Sequence, residues 1–322
     1  MGFSPIPPRL SAQAILDGLN IWSTRAELAI FHEELPWADL LSGMTPEAIL
    51  QANKVQIVQL MRNLGLSITY MLDLTNGLDR GEEAPALVAA GRSLTEPAVQ
   101  QLARDYALAV ESMLRPDRMG LAAETNLIRS MAPASLYAAV VATAGTIESA
   151  LAGANAGSRR FVSIQVEHAW GRLGGDGTFV GIAQDLSDFP FISALAYSSY
   201  PYFGWADPTD IPADYYTRLR GNSGLPILVS EGGWTSGSLA SGMIVSSPDT
   251  QARYIARHAQ LLDSVAAEAY FQLMFADLDL AALPQPLPAN LPLFAQLGLS
   301  DSQFAPKPAL AQWDALFARP LA

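Results

Sequence analysis

Short apolar runs alternate with longer segments of helical periodicity along the whole chain. Apolar runs without polar alternation are typical of strands that are buried on both faces of a parallel sheet. By this criterion the predicted strands cover residues 3–6, 26–31, 67–72, 118–123, 160–166, 191–197, 226–230 and 268–275. The sequence therefore predicts eight strands that are separated by long connections rather than by hairpin turns.

Between these strands, apolar residues recur at helical spacing, and capping signals mark where several helices begin. Ser11 is a candidate N-cap, and Pro46 and Pro97 stand in predicted first turns, a position that tolerates proline. The predicted helical segments cover residues 11–23, 45–63, 95–114, 133–151, 179–186, 213–219, 250–266 and 308–317. Strands and helices that alternate in this way indicate a parallel sheet with helices outside it.

Eight such units, without a linker between halves, predict a single α/β domain over residues 1–322, folded as a (β/α)8 TIM barrel. The competing architecture is an open doubly wound sheet. It is disfavoured because no Gly-x-Gly-x-x-Gly turn follows an early strand.

Composition narrows the class of protein. The 322 residues are 50% hydrophobic and only 16% charged, which supports a large core and does not fit a disordered chain. The net charge of -12 disfavours nucleic acid and anionic membranes as partners, and it is compatible with a neutral substrate. The sequence does not define an oligomeric state.

The chain has no cysteine, which excludes disulfides, zinc-thiolate sites and thiol catalysis. We find no uncharged apolar stretch of about 18 residues, so no transmembrane helix is expected. The first residues do not have the pattern of a signal peptide. A secreted or periplasmic location is nevertheless the favoured interpretation.

Polar and aromatic side chains gather where the predicted strands end, which in a TIM barrel is the catalytic face. They are His32, Glu33, Glu34 and Trp37 after the second strand, Asp73 after the third, Glu124 and Asn126 after the fourth, Glu167, His168 and Trp170 after the fifth, Tyr197 and Tyr200 at the sixth, Glu231 and Trp234 after the seventh, and Asp277 after the eighth. Any one of them alone is commonly a loop residue or a helix cap. Together they predict an active site.

Paired carboxylates across a barrel mouth suit the cleavage of a glycosidic bond. The leaving oxygen needs a proton, and the anomeric carbon needs a nucleophile. Carboxyl groups about 5 Å apart give a covalent intermediate and retention, whereas a wider gap admits water and gives inversion. Aromatic side chains fit the same substrate, because sugar rings present flat apolar C–H faces.

The run Ser230-Glu231-Gly232-Gly233-Trp234 resembles the strand-seven nucleophile segment of the clan A glycoside hydrolases. The segment from Tyr197 to Phe203 is similar to the strand-six segment of galactanase- and mannanase-like members. The resemblance implies a retaining enzyme that cleaves β-glycosidic bonds of an oligo- or polysaccharide without a cofactor. It also implies that Glu124 is the acid/base and Glu231 the nucleophile, with Tyr197 or Tyr200 bound to Glu231.

Two positions depart from the clan pattern. Ala123 stands where most members have an asparagine that contacts the sugar 2-hydroxyl, so this role would either pass to another group such as Asn126 or be absent. The eighth strand also lacks the usual tryptophan. The expected sugar contacts are therefore assigned to the other residues at the strand ends, namely Tyr197, Tyr200, Trp234, Asn126, His168, Trp170, Glu167, Trp37, Glu33, Asp73 and Asp277.

Three alternatives stay open at the level of sequence. His32, Glu33, His168 and Asp277 could ligate a divalent ion in a metal-dependent hydrolase, although the chain has only three histidines and no His-Glu-x-x-His motif. A barrel that binds glycans without cleaving them is the second alternative. The third keeps the chemistry but makes Glu167 the acid.

Overall fold

Eight parallel strands form a closed barrel in the order of the sequence, with β1 between β2 and β8. The computed structural model describes residues 1–239 and 242–320. The strands are β1 Gly2–Phe3, β2 Leu28–Glu34, β3 Ser67–Asp73, β4 Arg118–Gly120, β5 Arg159–Gln165, β6 Ala194–Ser199, β7 Ile227–Gly232 and β8 Ala269–Gln272. The predicted (β/α)8 fold class is confirmed.

Helices connect the strands, and six of the eight predicted helices begin within two residues of their predicted starts. They are α1 Ala12–Trp22, α2 Trp37–Leu41, α3 Pro46–Asn53, α4 Val55–Asn63, α5 Pro85–Ala89, α6 Pro97–Leu114, α7 Thr125–Met131, α8 Ala134–Gly153, α9 Val166–Ala169, α10 Ala183–Asp188, α11 Thr217–Arg220, α12 Pro248–Ser264 and α13 Pro308–Phe317. Ser11 caps α1 by accepting a hydrogen bond from the amide of Ala14, as its sequence position predicts.

Several elements differ from their predicted bounds, and two of these differences have a clear cause in the backbone or the packing. The helix predicted over residues 45–63 is interrupted at Lys54, whose φ of −126° is not helical, so it forms α3 and α4. Strand β4 ends at Gly120, where a Cβ atom would lie 2.3 Å from Sδ of Met71 and 2.8 Å from the Phe161 ring. This close packing explains why glycine occupies position 120. Beyond it the chain continues towards Glu124 and keeps isolated backbone hydrogen bonds to β5.

The chain divides into two compact units. The first contains residues 1–29, 166–181 and the chain from Tyr197 onward. Its core includes Phe3, whose ring lies 4.5 Å from that of Trp313 and 5.4 Å, edge-on, from that of Phe275. Full burial of each such side chain contributes about 1.5–3 kcal/mol, so this cluster is a main source of stability in the first unit.

The second unit contains residues 30–165 and 182–196. Helix α6 packs against α3 and α8 there. Helix α8 buries one face, at positions spaced by three and four residues, namely Leu136, Ala139, Val140, Thr143, Ala144, Ile147 and Leu151. This spacing is that of a helix packed on a core.

Helix α8 is also long and apolar enough to cross a membrane by length and composition alone, the one such helix among the described residues. A buried core helix of a globular protein meets the same criterion. The absence of a membrane partner therefore stays a prediction.

Candidate active site

Glu124 follows β4 and adopts a left-handed backbone conformation, with φ 46° and ψ 49°. A residue other than glycine is held in this region at a cost of about 1–2 kcal/mol. The Glu124 amide donates to Oγ of Ser163 on β5 at 2.8 Å, which fixes the turn into α7. The backbone therefore sets the direction of this carboxylate.

Arg80 joins Glu124 to Asp73, which ends β3. Its Nε atom lies 2.7 Å from Oε2 of Glu124, and its Nη1 atom lies 2.6 and 2.7 Å from the two carboxylate oxygens of Asp73. Nε2 of His32 lies 3.3 Å from the same Asp73 carboxylate. Burial by itself would raise the pKa of Asp73, but Arg80 and His32 outweigh burial and hold that pKa at about 2.

The neighbouring glutamates of β2 point in different directions. Glu34 accepts a hydrogen bond from the Gly77 amide at 2.9 Å, and burial, with the nearby charge of Asp73, raises its pKa. Glu33 instead binds Nζ of Lys54 at 2.5 Å, between α3 and α4. Because successive side chains of a strand face opposite sides, Glu33 faces the helices rather than the barrel interior.

Asn126 lies in the first turn of α7, with its amide directed at β5. The Nδ2 atom donates to the carbonyl of Gln165 at 2.8 Å, and Oδ1 accepts from the Gln165 amide at 2.9 Å. The side chain thus acts like one more rung of the ladder between β4 and β5. This geometry favours a structural role over contact with a sugar.

Glu231 lies on β7 in the first unit and is bound by a tyrosine from the end of β6. The Tyr200 hydroxyl donates to Oε2 of Glu231 at 3.1 Å, and both side chains are almost fully buried. Tyr197 does not share this role, because its hydroxyl donates to the carbonyl of Tyr216 at 3.4 Å and its ring stacks on the Tyr216 ring. Of the two tyrosines that the sequence offers as partners of Glu231, the structure brings Tyr200 to it.

Glu167, the rival acid, has no exposed surface, whereas Glu124 is 8% exposed. The Tyr215 hydroxyl donates a short hydrogen bond to Oε1 of Glu167. His168 is half-buried beside it on α9. Trp170 is buried and donates from Nε1 to the carbonyl of Tyr215 at 3.0 Å, so it secures the segment that carries this hydroxyl.

The predicted tryptophan contacts lie deep in their units. Trp234 and Trp37 are each 1% exposed, and Nε1 of Trp234 donates to Oγ of Ser246 at 3.0 Å. Phe203, Trp205 and Phe294 are half-buried aromatic side chains of the first unit. Phe203 and Phe294 pack edge-on beside Tyr200, with ring centroids 6.2 and 5.0 Å from its ring.

Asp277 is engaged by the last part of the chain. Its carboxylate lies 2.6 Å from Nζ of Lys307 and accepts the Gly298 amide at 2.9 Å. Burial raises the pKa of Asp277, and the positive charge of Lys307 acts in the opposite direction. These bonds indicate that Asp277 anchors the loop that follows β8.

A metal centre built from the predicted ligands is not supported by these contacts, because Lys54 engages Glu33 and Lys307 engages Asp277. In residues 1–239 and 242–320, no group of three or more histidine, aspartate or glutamate side chains is arranged to hold a metal ion.

Some residues that contact Glu124 or Glu167 were not predicted from the sequence. Arg80 lies in a loop seven positions beyond Asp73, and Tyr215 carries no local motif. A strand-end count does not find them, since they reach the site through tertiary contacts.

No protein-family model matches the sequence, and no curated protein matches it either. Solved structures do match. An exo-β-1,4-mannosidase from Opitutaceae bacterium strain TAV5 superposes with a TM-score of 0.70 and 16% identity over 98% of this chain. The chain spans 58% of the length of that protein and 35% of a β-glucuronidase from Bacteroides uniformis.

Two further matches cover more of their own length. A GH5 protein from Bifidobacterium longum subsp. longum, in complex with Manβ1-4GlcNAc, has a TM-score of 0.67 and 13% identity over 98% of this chain and 77% of its own. The GH53 catalytic domain of Ignisphaera aggregans has a TM-score of 0.59 and 15% identity over 82% of this chain and 78% of its own. These neighbours are clan A glycoside hydrolases, the group that the strand-six and strand-seven segments resemble, and at these identities they establish a shared fold.

Proposed function

We propose that the chain is a retaining glycoside hydrolase in which Glu231 is the nucleophile and Glu124 the acid/base. The observation that carries the proposal is the hydrogen bond from Tyr200 to Glu231 on β7. A phenol that donates to a carboxylate favours its ionised form, which is the form that attacks an anomeric carbon. The position of Glu124 after the fourth strand and of Glu231 at the end of the seventh supports a common task, because (β/α)8 enzymes carry their catalytic residues at the carboxyl ends of strands.

In this mechanism Glu231 attacks the anomeric carbon while Glu124 protonates the leaving oxygen. Water then cleaves the glycosyl-enzyme ester, with Glu124 acting as the base. Arg80 bears on the first step, because a guanidinium 2.7 Å from Glu124 favours the ionised carboxylate over the acid.

Two observations favour Glu124 over Glu167 as the acid. Glu167 is fully buried and bound by Tyr215, whereas Glu124 keeps some exposed surface. Glu124 also sits at a strained backbone position, and such strain is concentrated at functional sites.

We further propose a neutral carbohydrate as the substrate, no cofactor, and a single catalytic domain over residues 1–322. The acidic net charge supports a substrate without negative charge. A single cooperative unfolding transition, recorded by circular dichroism and by tryptophan fluorescence, is the expected behaviour of one domain. Two separate transitions would contradict it.

The test of the function is hydrolysis of a panel of aryl β-glycosides and β-linked oligosaccharides. Glu231→Ala and Glu124→Ala should each abolish turnover of natural linkages while circular dichroism remains that of the wild type. Glu33→Ala is the matched control, since Glu33 binds Lys54 on the helical side and should be dispensable for turnover. Full activity in either of the first two variants would overturn the assignment.

Azide separates the two roles. With an activated aryl glycoside, azide should rescue Glu231→Ala with inversion at the anomeric carbon, because the anion takes the place of the missing nucleophile. In Glu124→Ala it should accelerate deglycosylation and give the retained configuration. Proton NMR of the products reads both outcomes. A glycan bound by the wild type without any turnover would instead favour the non-catalytic alternative.

A further inference from the structure

A chain of buried hydrogen bonds passes through Ser199 in the first unit, the unit that also contains Glu231. It starts at Glu167, which accepts from the Tyr215 hydroxyl, and that hydroxyl lies 3.1 Å from Oγ of Ser199. The Tyr216 hydroxyl donates to the same Oγ atom at 2.9 Å and lies 2.6 Å from Nε2 of His258. All five side chains are almost completely buried. We call these five residues the buried relay.

The donors and acceptors of the buried relay can be assigned in one consistent direction. His258 is neutral, because burial lowers its pKa to about 3, and a proton on Nε2 lets it donate to Tyr216. Tyr216 then donates to Ser199, Ser199 to Tyr215, and Tyr215 to the Glu167 carboxylate. Each hydroxyl donates once and accepts once, so successive bonds polarise and strengthen one another.

Ser199 is the point where the buried relay meets the nucleophile. It is the last residue of β6 and directly precedes Tyr200. Its side chain is held by Tyr215 and Tyr216, and its carbonyl accepts the Gly233 amide at 3.2 Å, two residues after Glu231. The residue is thus fixed through both its side chain and its backbone.

Tyr200 depends on that fixed point. Its backbone leaves strand geometry, with φ −127° and ψ 69°, so the regular ladder no longer sets its direction. Phe294 packs edge-on against its ring at 5.0 Å, and the backbone of the preceding residue, Ser199, sets where the chain enters Tyr200.

We propose that the buried relay is a positioning device for the nucleophile: it fixes Ser199, Ser199 fixes Tyr200, and Tyr200 orients Glu231. The inference rests on the proposed function for its kinetic consequence but not for its geometry. Glu167, Tyr215, Ser199, Tyr216 and His258 are therefore positioning residues, and Glu167 has a task other than proton donation.

The test compares two buried tyrosines that each lose a hydroxyl. Tyr216→Phe breaks the buried relay between Ser199 and His258. Tyr254→Phe is the matched control, because Tyr254 is equally buried and stacks on His258, and its hydroxyl has no hydrogen-bond partner among the described residues. Both variants keep the ring, so their packing is the same as in the wild type.

In Tyr216→Phe we expect kcat to fall about tenfold with KM within about twofold, as for the loss of roughly one hydrogen bond in the transition state. Tyr254→Phe should keep both constants. The assays are run at a temperature at which circular dichroism shows every variant fully folded. If the Tyr216 hydroxyl only stabilised the fold, kcat of Tyr216→Phe would then be unchanged.

Crystal structures of the same variants give a readout that does not require activity. In Tyr216→Phe the distance between the Tyr200 hydroxyl and Glu231 should exceed the hydrogen-bond limit of about 3.5 Å, and in Tyr254→Phe it should not change. An unchanged distance and kcat in Tyr216→Phe overturn the positioning role. An inactive wild type with the predicted change in distance would overturn the proposed function alone.

Discussion

Arg80 binds Glu124 and Asp73 with the same guanidinium group, at 2.7 Å from Glu124 and at 2.6 Å from Asp73. The three side chains are buried, and the bonds connect the loop after β3 to the turn after β4. The Arg80 cation thus holds two carboxylates in place, that of Glu124, which is proposed to donate the proton, and that of Asp73.

Removal of Arg80 should be costly for stability. Arg80→Met leaves two buried carboxylates without their cation, so we expect the free energy of unfolding to fall by about 3–5 kcal/mol. Urea denaturation at neutral pH measures it. Arg92→Met is the control, because Arg92 forms a solvent-accessible pair with Glu96, and such surface pairs contribute little to stability. Equal losses in the two variants would contradict a buried network.

Asp73 should make the protein sensitive to acid. Its pKa is held at about 2 in the folded state, against 3.8 for the free group, so the unfolded chain binds the proton more readily. The stabilisation is complete above pH 4, and about 2 kcal/mol is lost as the pH falls through 2. Urea denaturation at pH 5 and pH 2.5 should show this loss in the wild type, and Asp73→Asn should show a smaller one.

The two tyrosines of the strand-six segment should behave differently. Tyr200→Phe removes a hydrogen bond to Glu231, and bonds to charged groups are worth about 1.5–3 kcal/mol, so we expect kcat/KM to fall roughly 10- to 100-fold. Tyr197→Phe removes a bond to a backbone carbonyl and should leave the rate unchanged. Similar rates for the two variants would refute the assignment of Tyr200.

His258 should add a second dependence of stability on pH, nearer to neutrality and in the same direction as that of Asp73. Burial lowers its pKa from 6.5 to about 3, so the unfolded state takes up a proton that the folded state excludes. Stability should therefore decrease as the pH falls from about 6.5 towards 3, by up to roughly 1.4 kcal/mol per pH unit. Denaturation of the wild type and of His258→Gln at several pH values tests this, since the glutamine variant should lose that part of the slope.

The fold was predictable from sequence because each barrel unit leaves a local signature. The capping of α1 by Ser11 and the bounds of α13 follow from caps and periodicity alone. Strand ends were less predictable. The second strand was predicted to end at residue 31, but β2 continues through Glu34. Because neighbouring side chains of a strand face opposite sides, a shift of one residue decides whether a side chain faces the barrel interior or the helices. Glu33 faces the helices, where it binds Lys54.

The parts of the site that depend on tertiary contacts could not be predicted. Glu124 and Glu231 follow apolar runs, so a strand count finds them. Arg80 comes from a loop, and His258 lies in the middle of α12, where its spacing is that of an ordinary core position. Neither has a sequence pattern that names its partner.

Gly232 and Gly233 follow Glu231 with φ values of 159° and 148°. A Cβ atom at Gly232 would lie 2.4 Å from the Ser199 carbonyl oxygen, and one at Gly233 would lie 2.5 Å from Nε2 of Gln272. A larger residue at Gly232 would displace the β6 backbone, and one at Gly233 would displace the Gln272 side chain from its hydrogen bond to the carbonyl of Leu297. Variation in substrate range, whether by natural drift or by directed evolution, is therefore constrained beside the proposed nucleophile and has to arise in the surrounding loops.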